Sequence, residues 1–186
     1  MENALGTNPP KAVGFIETKR LTFRTWLDTD TELALGLWGD PRVTKFITVR
    51  GQLSEDEVRN RLRFEIDSEK KHGVQYWPIF LKLTKEHVGC CGLRPYNLSR
   101  GIYEIGFHIR ADYWGHGFAT EAALGVMDYA FKNLSVQALF AGHNPRNMIS
   151  KHLLQRLGFR YTHDEHYAPT GLRHPSYMLT ADEYCR

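Results

Sequence analysis

The chain lacks any run approaching the ~20 consecutive apolar residues that a helix needs to cross a bilayer, and helical insertion into a membrane is excluded. It is also poor in cysteine, with three in 186 residues, two of them adjacent at Cys90 and Cys91. That count gives neither a disulfide framework nor zinc-ligand spacing, and it suits a reducing cytoplasm. Neighbours in a strand point to opposite faces, so this pair reads as one core thiol and one partly exposed thiol. No block of one charge sign is present. The 24 basic and 21 acidic residues leave a formal charge of +3 and are dispersed, which suits an anionic small molecule and leaves no footprint for direct nucleic-acid binding. Residues Met1–Lys11 lack the basic start and apolar run of a secretory leader. They read as a flexible tail over residues 1–12, ahead of one domain spanning 13–186. Internal repeats and low-complexity segments are missing too.

What remains is ordinary globular composition, 42% hydrophobic and 24% charged. Gly14–Trp26 alternates as a first strand, and Asp28 or Thr29 caps a short helix through Trp38. The capping box Ser54-Glu55-Asp56-Glu57 opens a helix that runs to about Lys71 and stops at Gly73. Tyr76–Leu83, Val88–Leu93 and Tyr103–Arg110 read as three strands with short connections, hence an antiparallel meander. Thr120–Phe131 carries Ala122, Ala123, Val126, Met127 and Ala130 at helical spacing, and Ala138–Ala141 is a short buried strand. Asn147–Leu157 forms a helix with Ile149, Leu153, Leu154 and Leu157 inward and Gly158 at its C-terminal cap position. Phe159–His163 and Ser176–Leu179 supply the last strands. The sum is an α/β (α+β) layer structure, a mixed and mostly antiparallel sheet flanked by helices.

The segment richest in chemistry is Arg110-Ala-Asp-Tyr-Trp-Gly-His-Gly-Phe-Ala-Thr-Glu121, which leaves a strand and enters a helix through two glycines two apart. Glycine lets backbone amides approach an anion closely, and the helix start adds unsatisfied N–H groups and the positive end of its dipole. Gly-x-Gly before a helix can equally be a tight connection. A dinucleotide fingerprint requires Gly or Ala three residues after the second glycine, where this chain has Thr120, and a Walker turn requires Gly-Lys-Ser/Thr. Neither is present.

Here the sequence resembles the GNAT acetyltransferases, and within them the ribosomal-protein N-terminal acetyltransferases. The family's acetyl-CoA signature, Gln/Arg-x-x-Gly-x-Gly/Ala, is matched at Gly117 and Ala119, with Trp114 departing at its first position; Tyr113–Ala122 resembles the pattern Tyr-Trp-Gly-x-Gly-Tyr-Ala-Thr-Glu-Ala common in this branch. Glu17-Thr-Lys-Arg-Leu21 with Arg24, Asp40-Pro41, Glu104-Ile-Gly-Phe107, Asn144-Pro-Arg-Asn147, Ser150 and Leu157-Gly158-Phe159 follow in family order over roughly residues 16 to 180.

The resemblance implies a splayed pair of central strands, one ending at Arg110 and one from Ala138 to His143, with the pantetheine arm of acetyl-CoA between them. The implied cofactor-binding residues are Phe107, His108 and Ile109 on the first of these strands, then Trp114, Gly115, His116, Gly117, Phe118, Ala119 and Thr120 in the turn, and Asn144, Asn147 and Ser150 beyond the second. A backbone N–H near Phe107–Ile109 would polarise the thioester carbonyl. Glu104 is the candidate general base, against the alternative of a strand-face ion pair with Arg94 or Arg110. His108, on the same strand face, is the secondary candidate base. Ser150 would hold or protonate the leaving thiolate; for Asn144 and Asn147 the alternative to pantetheine contact is capping of the next helix. Arg20 and Arg24 read as a solvated strand edge, against the alternative of binding an acidic acceptor, and the large aromatics read chiefly as core. No metal is implied, since His163 and His166 would face opposite ways in a strand. The expected activity is transfer of an acetyl group from acetyl-CoA to a primary amine, the acceptor being a protein N-terminus or a small molecule. The alternative is a non-catalytic acyl-CoA-sensing module. Acceptor choice falls to the segments Val43–Gln52 and Tyr167–Pro175, and monomer and homodimer remain equally open.

Overall fold

The meander forms as the spacing predicts. In the computed structural model, which describes residues 15–185, β2 (Tyr76–Leu81), β3 (His87–Asn97) and β4 (Ile102–Ile109) pair antiparallel in sequence. The tail over residues 1–12, and Gly14 at the head of the first predicted strand, lie outside the described residues. β1 (Leu21–Phe23), β5 (Ala138–Gly142), β6 (Arg160–Tyr167) and β7 (Leu172–Thr180) complete one seven-stranded sheet in the order β1-β2-β3-β4-β5-β7-β6. Only the β4–β5 pair is parallel, joined through the crossover helix α4 (Phe118–Asn133).

Apolar stripes on the helices decide the layers. One face of the sheet is covered by α4, whose Phe118, Ala122, Ala123, Val126, Met127 and Ala130 are buried against Trp77, Cys91, Leu93 and Ile105; Leu154 from α5 (Met148–Arg156) joins them. The other face carries α1 (Thr31–Trp38) and α3 (Glu55–His72), which bury Leu37, Trp38, Val58, Leu62 and Ile66 against Trp26, Tyr76 and Cys90. The capping box at Ser54 and Glu57 and the left-handed Gly73 (φ 68°) bound α3 as expected. A four-residue helix α6 (Ala181–Tyr184) ends the described chain.

Several expectations need correction. The segment 14–26 is not one strand: the chain reverses after Glu17, Glu17 bridges Thr22, and only Leu21–Phe23 joins the sheet. The residue before α1 is Asp30, which makes no capping bond to α1 because its carboxylate is occupied by Arg24 and the Leu27 amide. A short helix, α2 (Pro41–Thr44), capped by Asp40, follows α1. Cys90 and Cys91 do point to opposite faces, but helices cover both, so both thiols are fully buried. Ile149 is 79% exposed, because only the later turns of α5 reach the core. β6 and β7 extend well beyond the predicted strands and take up most of Tyr167–Pro175.

Candidate active site

Strands β4 and β5 stay paired for only three residues, Ile102 with Ala138, Tyr103 with Leu139 and Glu104 with Phe140. Past Glu104 they part. β4 remains bonded to β3 as far as Ile109, so its other edge turns backbone N–H groups into the gap. The gap is a cleft of about 630 Å³. Every catalytic or cofactor-binding residue expected from the sequence lines it except His116.

At one end lies the turn. Gly115 (φ 79°) and Gly117 (φ 77°) adopt left-handed backbone that only glycine takes without strain, and a side chain at 115 would meet no atom within 4 Å. Gly117 is the N-cap of α4 and supplies no side-chain cap, which leaves the first N–H groups of a 16-residue helix open to an anion. Trp114 faces back, its indole Nε1–H donating to the Ile109 carbonyl at 2.8 Å, which pins the turn to the end of β4. His116 turns inward on its own loop: its ring stacks on Phe118, and Nδ1 lies 2.9 Å from the Trp114 carbonyl. Arg20, read from the sequence as a solvated edge, is part of this end. Its Nε donates to Glu121 at 2.6 Å, one Nη donates to the His116 carbonyl at 3.0 Å, and its guanidinium lies 4.4 Å from the centre of the Phe118 ring. Burial works against the Glu121 carboxylate, yet hydrogen bonds from Thr18 and Arg20 hold it below the ordinary carboxylate range.

At the other end is Glu104. It pairs with neither Arg94 nor Arg110: Arg94 is bound to the buried Glu65, and Arg110 donates to the His87 carbonyl at 3.2 Å. Glu104 Oε1 instead accepts the Tyr76 hydroxyl at 2.7 Å. His108 Nδ1 accepts the Trp38 indole N–H at 3.1 Å, and burial, with Arg61 and Arg94 nearby, holds the imidazole well below its ordinary pKa. A neutral ring with Nδ1 as acceptor carries its proton on Nε2, so His108 can donate a hydrogen bond but has no lone pair left to act as a base. Two segments close this end, clasped by the Val49 amide donating to the Pro169 carbonyl at 2.9 Å.

Between the two ends, Asn147 caps α5 through the Ser150 amide (3.2 Å), and Ser150 presents its hydroxyl to the cleft. Asn144 does not cap that helix. Its Nδ2 donates to the Phe46 carbonyl at 3.2 Å and its Oδ1 accepts the Arg146 amide at 3.0 Å, which ties the end of β5 to the loop after α2.

Residues 20–160 match the family model described as the acetyltransferase (GNAT) domain. The chain belongs to the GNAT acetyltransferase family. The uncharacterised N-acetyltransferase p20 of Bacillus licheniformis is 31% identical over 143 residues, 77% of this chain and 80% of the relative. Among solved structures, a GNAT-family acetyltransferase from Bacillus anthracis superposes with a TM-score of 0.77 at 23% identity, covering 90% of this chain and 99% of that one. A ribosomal L7/L12 α-N-protein acetyltransferase solved with coenzyme A superposes with a TM-score of 0.76 at 13% identity, covering 92% and 99%.

Membership of a GNAT family brings acetyl-CoA as donor, and the turn fits it on its own terms: open space above Gly115, an uncapped helix start, and a guanidinium alongside. The residues that sequence reasoning missed are Tyr76, Arg20 and the Asn144–Phe46 tie. Arg20 had a signal, since it stands in a motif of the GNAT pattern; the other two depend on contacts between distant segments.

Proposed function

We propose that this acetyltransferase moves the acetyl group of acetyl-CoA to a primary amine by direct attack in a ternary complex, within a domain spanning residues 13–186. One observation carries the reading: the Glu104 carboxylate and the anion-binding turn lie in one continuous cleft, so a base and a phosphate cradle face a shared interior. Acetyl-CoA supplies an activated thioester. Gly115, Gly117 and the first N–H groups of α4 receive its pyrophosphate, with Trp114, His116, Phe118, Ala119 and Thr120 around it, and Asn147 Nδ2 remains available for a pantetheine carbonyl. The free-edge N–H groups among Phe107, His108 and Ile109 polarise the reacting carbonyl. Glu104 takes the amine proton, directly or through water, and the Ser150 hydroxyl stands for the leaving sulfur.

An α-amine is the favoured acceptor. Its pKa of about 7.7–8.0 leaves much of it neutral near pH 7.5, whereas a lysine amine at about 10.4 is almost wholly protonated. A protein or peptide N-terminus is also what one structure of the same fold acetylates by its description. The test is incubation with acetyl-CoA and a panel of peptides and small amines, followed by free-thiol release. Release with an α-amine substrate supports the proposal. Thermal stabilisation by acetyl-CoA without release for any amine would make the chain a sensing module instead.

A further inference from the structure

Tyr76 is the first residue of β2 and stands opposite Gly92 of β3, which stands opposite Gly106 of β4. The row therefore reads tyrosine, glycine, glycine across three strands, on the sheet face that also carries Glu104, two residues before Gly106. The glycines leave a groove over the sheet, and the tyrosine ring occupies it. A Cβ on Gly106 would fall 2.2 Å from Tyr76 Cζ and Oη, and a Cβ on Gly92 would fall 2.8 Å from Tyr76 Cα and 2.0 Å from the Gln75 carbonyl oxygen. At Gly106 it is the ring that excludes a side chain; at Gly92 it is the backbone of Gln75 and Tyr76. Above the ring, the Arg94 guanidinium sits 4.1 Å from its centroid, and the His108 ring meets it edge-on at 5.8 Å. The side chain is 97% buried, with its hydroxyl delivered to Glu104 Oε1. Among the described residues Glu104 Oε2 has no partner, and it faces the cleft.

We propose that Tyr76 is a positioning residue for the acetyl-transfer reaction: with its ring over Gly106, it fixes the rotamer of Glu104 and leaves Oε2 as the oxygen that meets the acceptor amine. This rests on Glu104 acting as the base. The hydroxyl is a permanent donor, because burial, and then the neighbouring Glu104, push the phenol pKa well above 10. The groups facing Glu104 are Tyr76 from β2, Arg94 from β3, which is committed to Glu65, Tyr96 from β3, which donates to Glu165, Tyr167 from β6, Arg61 from α3, also on Glu65, and His108 on its own strand, which stays neutral. Among them only the Tyr76 hydroxyl bonds Glu104.

The experiment is the pH dependence of kcat/KM in Tyr76→Phe, which keeps the ring, its packing and the Arg94 contact and removes only the hydroxyl. The plateau of kcat/KM is expected to fall about tenfold, the loss of one hydrogen bond to a charged group, with acetyl-CoA affinity measured by calorimetry unchanged. Gly106→Ala, which drives the hydroxyl off Glu104 by a different route, is expected to lower the plateau likewise. Glu104→Gln separates the two readings. An acid limb that disappears in Glu104→Gln while the Tyr76→Phe plateau stays at the wild-type level overturns the role of Tyr76 alone. A limb that persists in Glu104→Gln overturns the assignment of the base and the role of Tyr76 with it.

Discussion

The two ends of the cleft are built on different principles. The donor end is nearly all backbone: two left-handed glycines, an uncapped helix start and a short stretch of contiguous sequence from Trp114 to Thr120. The acceptor end is nearly all side chain, and its parts come from β2, β3, β4, α3 and two clasped loops. Backbone recognition serves a cofactor whose anionic part never varies, whereas side chains from separate elements allow acceptor and base to be tuned without touching the cradle. The sharpest way to break the comparison is Glu104→Gln. Turnover at neutral pH should fall by about 10²–10⁴-fold, the usual contribution of a general base, while calorimetric acetyl-CoA affinity stays put. Equal losses in both would mean that the ends are not separable.

Any acid limb has to be distinguished from acid unfolding, to which buried histidines held neutral by the fold contribute, His87 among them with His108, His143 and His174. His87 is 4% exposed under the β2–β3 turn, packed against Trp26 and Phe80, and neither ring nitrogen has a hydrogen-bond partner. Burial, and then the nearby Arg110, lower its pKa from 6.5 to about 4. Above pH 6.5 both folded and unfolded chains hold it neutral and the full stability is present. Between 6.5 and 4 the unfolded chain binds a proton that the folded chain refuses, so stability falls with falling pH by up to about 3 kcal/mol. His87→Phe should lessen the fall of the melting temperature across that window by differential scanning calorimetry, without abolishing it, and leave the acid limb of kcat/KM where it is. A limb that moved with His87→Phe would belong to the fold and not to the acceptor end.

The same contrast explains what was legible in the sequence. The capping box of α3, the meander, and the turn with its family pattern are local signals, and they appear where expected. The first strand was misread because its reversal depends on Thr18 and Arg20 bonding Glu121, about a hundred residues on. Tyr76 reads as an ordinary strand residue; the role proposed for it depends on the absence of a side chain at Gly106, two strands away, which only the register brings into line. His108 looked like a base until Trp38 occupied its free lone pair. Within the donor end, Gly117→Ala tests the backbone argument directly. Left-handed geometry costs a non-glycine residue about 1–2 kcal/mol, so KM for acetyl-CoA should rise by about tenfold in steady-state assays, with the pH limb unshifted.

The smallest effect belongs to a partly exposed side chain that braces the donor end. Arg20 braces the turn from outside through Glu121 and the His116 carbonyl, but it is partly solvated, with 44% of its side chain exposed. An ion pair of that kind contributes little by itself. Arg20→Ala should therefore raise KM for acetyl-CoA only by about two- to fivefold, the scale of an exposed pair, and the difference from wild type should shrink further at high salt. Because Arg20 touches no residue of the acceptor end, the pH profile and the ranking of acceptor amines should stay as they are. A change in acceptor ranking would mean that side chains carry information between the two ends, and the division between a backbone cradle and a side-chain pocket would have to be abandoned.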